Sequence, residues 1–144
     1  MLINGQSLIQ IIRDIERPYA QQEYDQRMTE GEPKADLGQR DDLTGDYLYL
    51  PPSLILPPSR NFWGEPYDHG FITEPDDPVN QKSLILSCIC GITECWFLLA
   101  KITVSDEMVR WDDFQQFHRD WFYGGLAFTF ERSQYDTAFN AVHL

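Results

Sequence analysis

Two apolar runs, residues 84–90 and 95–104, are separated only by Gly91, Ile92, Thr93 and Glu94. No other feature constrains the fold of this chain as strongly. Each run has strand length, and so short a connection joins only antiparallel neighbours, because a parallel crossover needs a dozen or more residues. With 91–94 as the loop, Cys90 faces Cys95, Cys88 faces Phe97, Ile89 faces Trp96 and Ser87 faces Leu98. Both faces of this hairpin are apolar, so it belongs in the middle of a sheet, covered on both sides.

The remainder of the second half extends the sheet. Residues 108–111 alternate as a third strand. Asp112 is a fitting N-cap for a helix that places Phe114, Phe117, His118 and Trp121 at i, i+3, i+4 and i+7 and ends at Gly124-Gly125. Leu126, Phe128 and Phe130 alternate as a fourth strand. Ser133 and Asp136 open a last helix, whose apolar face is Tyr135, Ala138, Phe139 and Val142.

The first half is less regular. Residues 1–3 suit a short strand before an Asn4-Gly5 turn. Leu8, Ile11, Ile12 and Ile15 define a helix face, with Ser7 and Gln10 as a capping box and Pro18 as its stop. A hairpin through Asn4-Gly5 is the alternative. Residues 21–46 are polar and charged and read as a long loop, partly disordered. Residues 46–50 suit a short strand. Residues 53–56, between two Pro-Pro pairs, read as an extended edge, and 61–80 as an aromatic, acidic surface loop. The expectation is a single α+β domain over 1–144. Its antiparallel sheet is centred on the hairpin at about 84–104, with flanking helices.

A chain of 144 residues can bury a core without disulfides or metal. The odd count of 3 cysteines argues against a secreted disulfide framework, and no secretory signal or membrane-spanning run is present. A soluble, cytoplasmic protein is expected. The net charge of -12 argues against nucleic-acid and anionic-membrane partners and is compatible with a basic protein partner.

All the cysteines fall in Cys88-Ile89-Cys90-Gly91-Ile92-Thr93-Glu94-Cys95. Strand alternation puts Cys88 and Cys90 on one face, and the hairpin register brings Cys95 to the same face. Three readings stay open. The thiols are buried small hydrophobes, a metal site or a redox pair. Zinc is the metal considered, and it needs a fourth ligand, for which His118 is the first candidate and His69 and Glu94 are others. Beyond these, His118 with a neighbouring aspartate is a weak candidate for general base chemistry, since spacing specifies no nucleophile. Phe62, Trp63 and Tyr67 crowd one loop, where aromatics either pin the loop to the core or bind a partner.

The second half resembles a family of small, mostly bacterial proteins of no established activity. The resemblance rests on Cys88-x-Cys90-Gly91, Cys95-Trp96, Val109-x-Trp111-x-x-Phe114, His118-Arg119-x-x-Trp121, Phe128-x-Phe130 and Tyr135, with looser matches at Ile3-Asn4-Gly5 and Glu16. Relatives carry a proline after the Cys-Trp pair, where this chain has Phe97. The resemblance implies a bacterial origin and a shared fold, and no catalytic residue. With no motif that specifies chemistry and with an acidic, aromatic-bearing surface, the functional expectation is a non-enzymatic, protein-binding module, an immunity-type protein being one example of that profile. The alternative is a metal-binding or thiol-redox protein built on the cysteines.

Overall fold

A computed structural model describes residues 2–31 and 44–140. The chain begins with a hairpin and a helix in succession, so both expectations for the N-terminus are met. Strands β1 (Leu2–Ile3) and β2 (Gln6–Ser7) pair through Asn4 and Gly5, whose φ values of 52° and 83° are the two positive angles a tight right-twisted hairpin turn requires. Ser7 then caps helix α1 (Leu8–Thr29), its side chain accepting a hydrogen bond from the Gln10 amide.

Pro18 does not stop α1, and residues 21–29, expected as loop, are helical. Pro18 and Asp14, the residue whose carbonyl a proline at 18 cannot pair, both lie on the exposed side of the helix. Beyond it the helix is anchored by burial of Ala20 and Tyr24, which extend the stripe Leu8, Ile12, Glu16, and by an ion pair from Glu23 to Arg119. Residues 32–43 of the expected loop lie outside the described residues.

A five-stranded antiparallel sheet has the order β3 (Tyr47–Tyr49), β4 (Ser83–Cys88), β5 (Leu98–Val104), β6 (Met108–Gln116), β7 (Phe128–Glu131). The hairpin strands are interior to the sheet; β4 is almost fully buried, whereas β5 is covered on both faces only over Leu98–Ala100 and exposes Lys101 and Thr103 beyond it. Around the sheet lie α1, a short helix α2 (Pro52–Ile55) and helix α3 (Arg132–Asn140). Among the described residues no helix is long and apolar enough to cross a membrane. Residues 53–56, expected to be extended, mostly belong to α2. Pro52 sits at the start of that helix, where its missing N–H costs nothing.

The hairpin register also differs from the expected one. Leu98 faces Leu86 rather than Ser87, and Leu99 faces Leu84 across a bulge at Ile85. β4 ends at Cys88 and β5 begins only at Leu98. The connection is therefore longer than residues 91–94 and contains a 3-10 turn, Thr93–Cys95. Near this bulge the Asn61 side chain completes the sheet. Its Nδ2 donates to the Leu84 carbonyl at 2.6 Å and its Oδ1 accepts from the Leu84 amide at 2.9 Å, beyond the end of β3.

The helix expected from Asp112 is instead a continuation of β6. Leu99 faces Gln115 and Lys101 faces Asp112, so Asp113 and Phe114 together oppose Ala100 in a bulge. Asp113 adopts φ 51°, a conformation its short polar side chain tolerates. The extra residue makes Val109, Trp111, Phe114 and Gln116 the buried set. Its three-residue step imitates helical spacing, and pairing with β5 decides the outcome. α3 packs its Tyr135 and Phe139 against Phe62 and Trp111, with Phe62–Trp111 centroids 5.1 Å apart and Trp111 Nε1 donating to the Tyr135 hydroxyl. Val142 lies outside the described residues.

Candidate metal centre

The cysteine segment leaves the sheet at Cys88, where β4 ends beside Tyr47 of β3. Gly91, at φ 92°, turns the chain, with its amide donating to the Cys88 carbonyl at 3.3 Å. The 3-10 turn comes next, and the Cys95 amide donates to the Ile92 carbonyl at 3.1 Å. These two turns fold the segment back on itself. The Sγ atoms of Cys88, Cys90 and Cys95 all lie within 4.8 Å of one another. The convergence expected from strand pairing is thus present, but a looped connection produces it. All three are free thiols, Cys88 buried and Cys90 and Cys95 exposed.

The thiols are electrostatically unequal. A hydrogen bond with the Ile92 backbone lowers the pKa of Cys90, and the Cys88 thiol adds to this. Cys95 is pushed up to about 11, first by its hydrogen bond with Cys90 and then by negative charge on Cys88 and Cys90. Cys90 therefore ionises ahead of Cys95. Three sulfurs this close can ligate a single metal ion, which would take up the charge that otherwise opposes ionisation of the set.

His118 does not join the sulfurs. Its Nε2 lies 2.7 Å from the Glu94 carbonyl, an acceptor only, so Nε2 carries the proton. Its ring stands edge-on to Phe71, Phe97 and Phe117. It holds the residue next to Cys95 in place, the usual task of a group just outside a ligand set. The other fourth-ligand candidates are also engaged. The Glu94 carboxylate accepts from the Tyr67 hydroxyl at 2.5 Å. Burial, then the hydrogen bond to Glu94, raises the phenol pKa and keeps it a donor. His69 is buried; its Nδ1 accepts from the Phe71 amide at 3.0 Å, which leaves Nε2 to donate to Asn80 Oδ1 at 3.1 Å.

Beside the sulfurs a groove of about 290 Å³ is lined by Asp46, Cys88, Cys90, Trp96 and Arg119 among others. The Arg119 guanidinium lies 4.6 Å from the Trp96 ring centroid and pairs with Glu23 at 2.8 Å, which fixes that wall. Of the aromatics weighed for partner binding, Phe62 is wholly buried, Trp63 packs on Tyr135 and Phe139, and Tyr67 packs on Phe97 and bonds Glu94. Phe62 is thus a core residue. Trp63 and Tyr67 are half-buried supports.

The wall behind the groove rests on Glu16, a residue that spacing alone does not single out. Its carboxylate is fully buried and accepts hydrogen bonds from the Gly45 amide (2.8 Å), the Tyr47 hydroxyl (2.5 Å) and the Tyr123 hydroxyl (2.7 Å). Burial raises its pKa, and the hydrogen bonds only partly oppose this. A side chain at Gly45 would collide with the Tyr47 ring and with Trp96 Nε1, so that position accepts glycine alone. The i, i+4 stripe of α1, in which Glu16 stands between Ile12 and Ala20, marks the position as inward-facing but says nothing of its partners.

Comparison with family models, with curated proteins and with solved structures finds no match.

Proposed function

We propose that this protein binds a thiophilic metal ion through Cys88, Cys90 and Cys95. The carrying observation is the convergence of the three sulfurs within 4.8 Å on a segment whose turns serve no sheet pairing. Two further features support it. The segment is held from outside by His118 at Glu94 and by Tyr67 at the Glu94 carboxylate, so the ligands are positioned before an ion arrives. The aromatics that favoured a protein-binding surface are spent on packing, which weakens that reading.

The test is metal analysis together with thiol titration. Protein purified without chelator and incubated with excess Zn(II) or Cu(I) under reducing conditions is expected to retain about one ion per chain, the capacity of a single three-sulfur site. Retention should shield all three thiols from alkylation and should be lost in Cys90→Ala. A protein that stays metal-free with both ions, its three thiols reacting independently, would overturn the proposal.

A further inference from the structure

We infer that the ion this triad suits best is a soft monovalent one of the Cu(I) class, held by three sulfurs without a fourth protein ligand. The inference rests on the triad being a metal site and goes on to name the ion. Its first support is the donor set, which is sulfur only, and thiolate-only sites select Cu(I), zinc or iron–sulfur centres.

The second support is ligand number. Structural zinc is four-coordinate, closed by protein on every side. Among the described residues no fourth histidine, cysteine or carboxylate joins the three sulfurs. The two histidines and the glutamate weighed as fourth ligands lie outside that cluster. His118 donates to the Glu94 carbonyl, the Glu94 carboxylate accepts from Tyr67, and His69 is bonded through both ring nitrogens. Cu(I), softer and singly charged, is satisfied by three thiolates alone, whereas zinc, equally d¹⁰ but four-coordinate by preference, must take its fourth ligand here from solvent or from a second molecule.

The third support is access. Cys88 is buried while Cys90 and Cys95 are exposed, so one side of the set opens to solvent and the other is walled by protein. An ion there can be loaded and removed by exchange of one thiolate at a time, which suits an incoming or outgoing thiol carrier. No electron is transferred in this exchange. One sulfur–metal bond forms as another breaks; the incoming thiol gives up its proton as it binds, and the displaced thiolate takes one up.

The test is anaerobic titration of the full chain with Cu(I) against a chromophoric Cu(I) chelator, a parallel Zn(II) titration, and X-ray absorption at the metal edge. One Cu(I) per chain is expected, bound more tightly than Zn(II), with three sulfurs and no nitrogen or oxygen around it. Cys90→Ser should weaken Cu(I) binding by more than about 100-fold, beyond what loss of an outer-shell contact costs. His118→Ala should leave the three-sulfur spectrum unchanged. Tighter Zn(II) than Cu(I), a nitrogen in the shell that His118→Ala removes, or copper in any other stoichiometry or sulfur number would overturn the Cu(I) assignment and leave a metal site standing. Binding of neither ion would overturn both.

Discussion

The core under α3 and the cysteine segment are built in opposite ways. In the core, Phe62 meets Trp111 and Phe139 edge to face and Trp111 meets Tyr135 likewise, so that each ring touches one from a distant part of the chain. Losing one leaves a cavity the others cannot close. The cysteine segment buries little. It keeps its shape through a few directed bonds: two turn amides, the His118 contact at Glu94 and the Tyr67 contact beside it. Stability resides in the first region and candidate chemistry in the second, the usual division between a rigid scaffold and the loop it positions.

The contrast can be broken at either end. Trp111→Ala should cost about 3–5 kcal/mol of unfolding free energy in chemical denaturation, while the folded fraction keeps its metal stoichiometry. Loss of metal in folded Trp111→Ala would mean that the two regions are coupled. Glu16→Gln should cost about 1–3 kcal/mol, because the carboxylate that gathers Gly45, Tyr47 and Tyr123 is replaced by an amide with one fewer acceptor.

The same residue carries a pH dependence of known sign. Burial raises the Glu16 pKa above its ordinary 4.5, so the folded chain holds this proton longer than the unfolded chain. Its contribution is full below that value and is lost as pH climbs through the raised folded pKa. Denaturation curves between about pH 4 and 8 should show wild type losing stability relative to Glu16→Gln as pH rises. A difference that grows in the other direction would contradict the burial argument.

Smaller effects sharpen the contrast. His118→Ala should weaken metal binding by about 10–100-fold through release of the Glu94 carbonyl, with the ligand count unchanged. Cys90→Ala should shift metal-free stability by no more than about 0.5 kcal/mol, since the side chain is exposed. A large destabilisation of the apo form would mark the thiol as a packing element.

Much of the sheet was legible because unbroken apolar runs in 84–86 and 98–100 mark strands buried on both faces, and alternation marks the strand beyond them. Where the reading failed, a single residue had changed the local period. Asp113 inserted a step of three into a strand and made it look helical, and Ile85 moved the hairpin register. Pro18 misled because its effect depends on which side of the helix it faces, and that is set by packing downstream. The grouping of the thiols was legible and its cause was not, since the turns at Gly91 and Thr93–Cys95 replace strand pairing. The buried role of Glu16 depends on partners 29, 31 and 107 residues away, which no local pattern encodes.

The bulge at Asp113 has a consequence for chains of other lengths. Without that residue, Phe114 and Gln116 would continue the alternation begun at Val109 and Trp111, and both would still point inward. Asp113 is thus a surplus letter that the strand has absorbed while every later side chain keeps its face. A shortened chain lacking it should keep its core and straighten β6. Anyone aligning this protein to a distant relative should expect the gap to fall at that position.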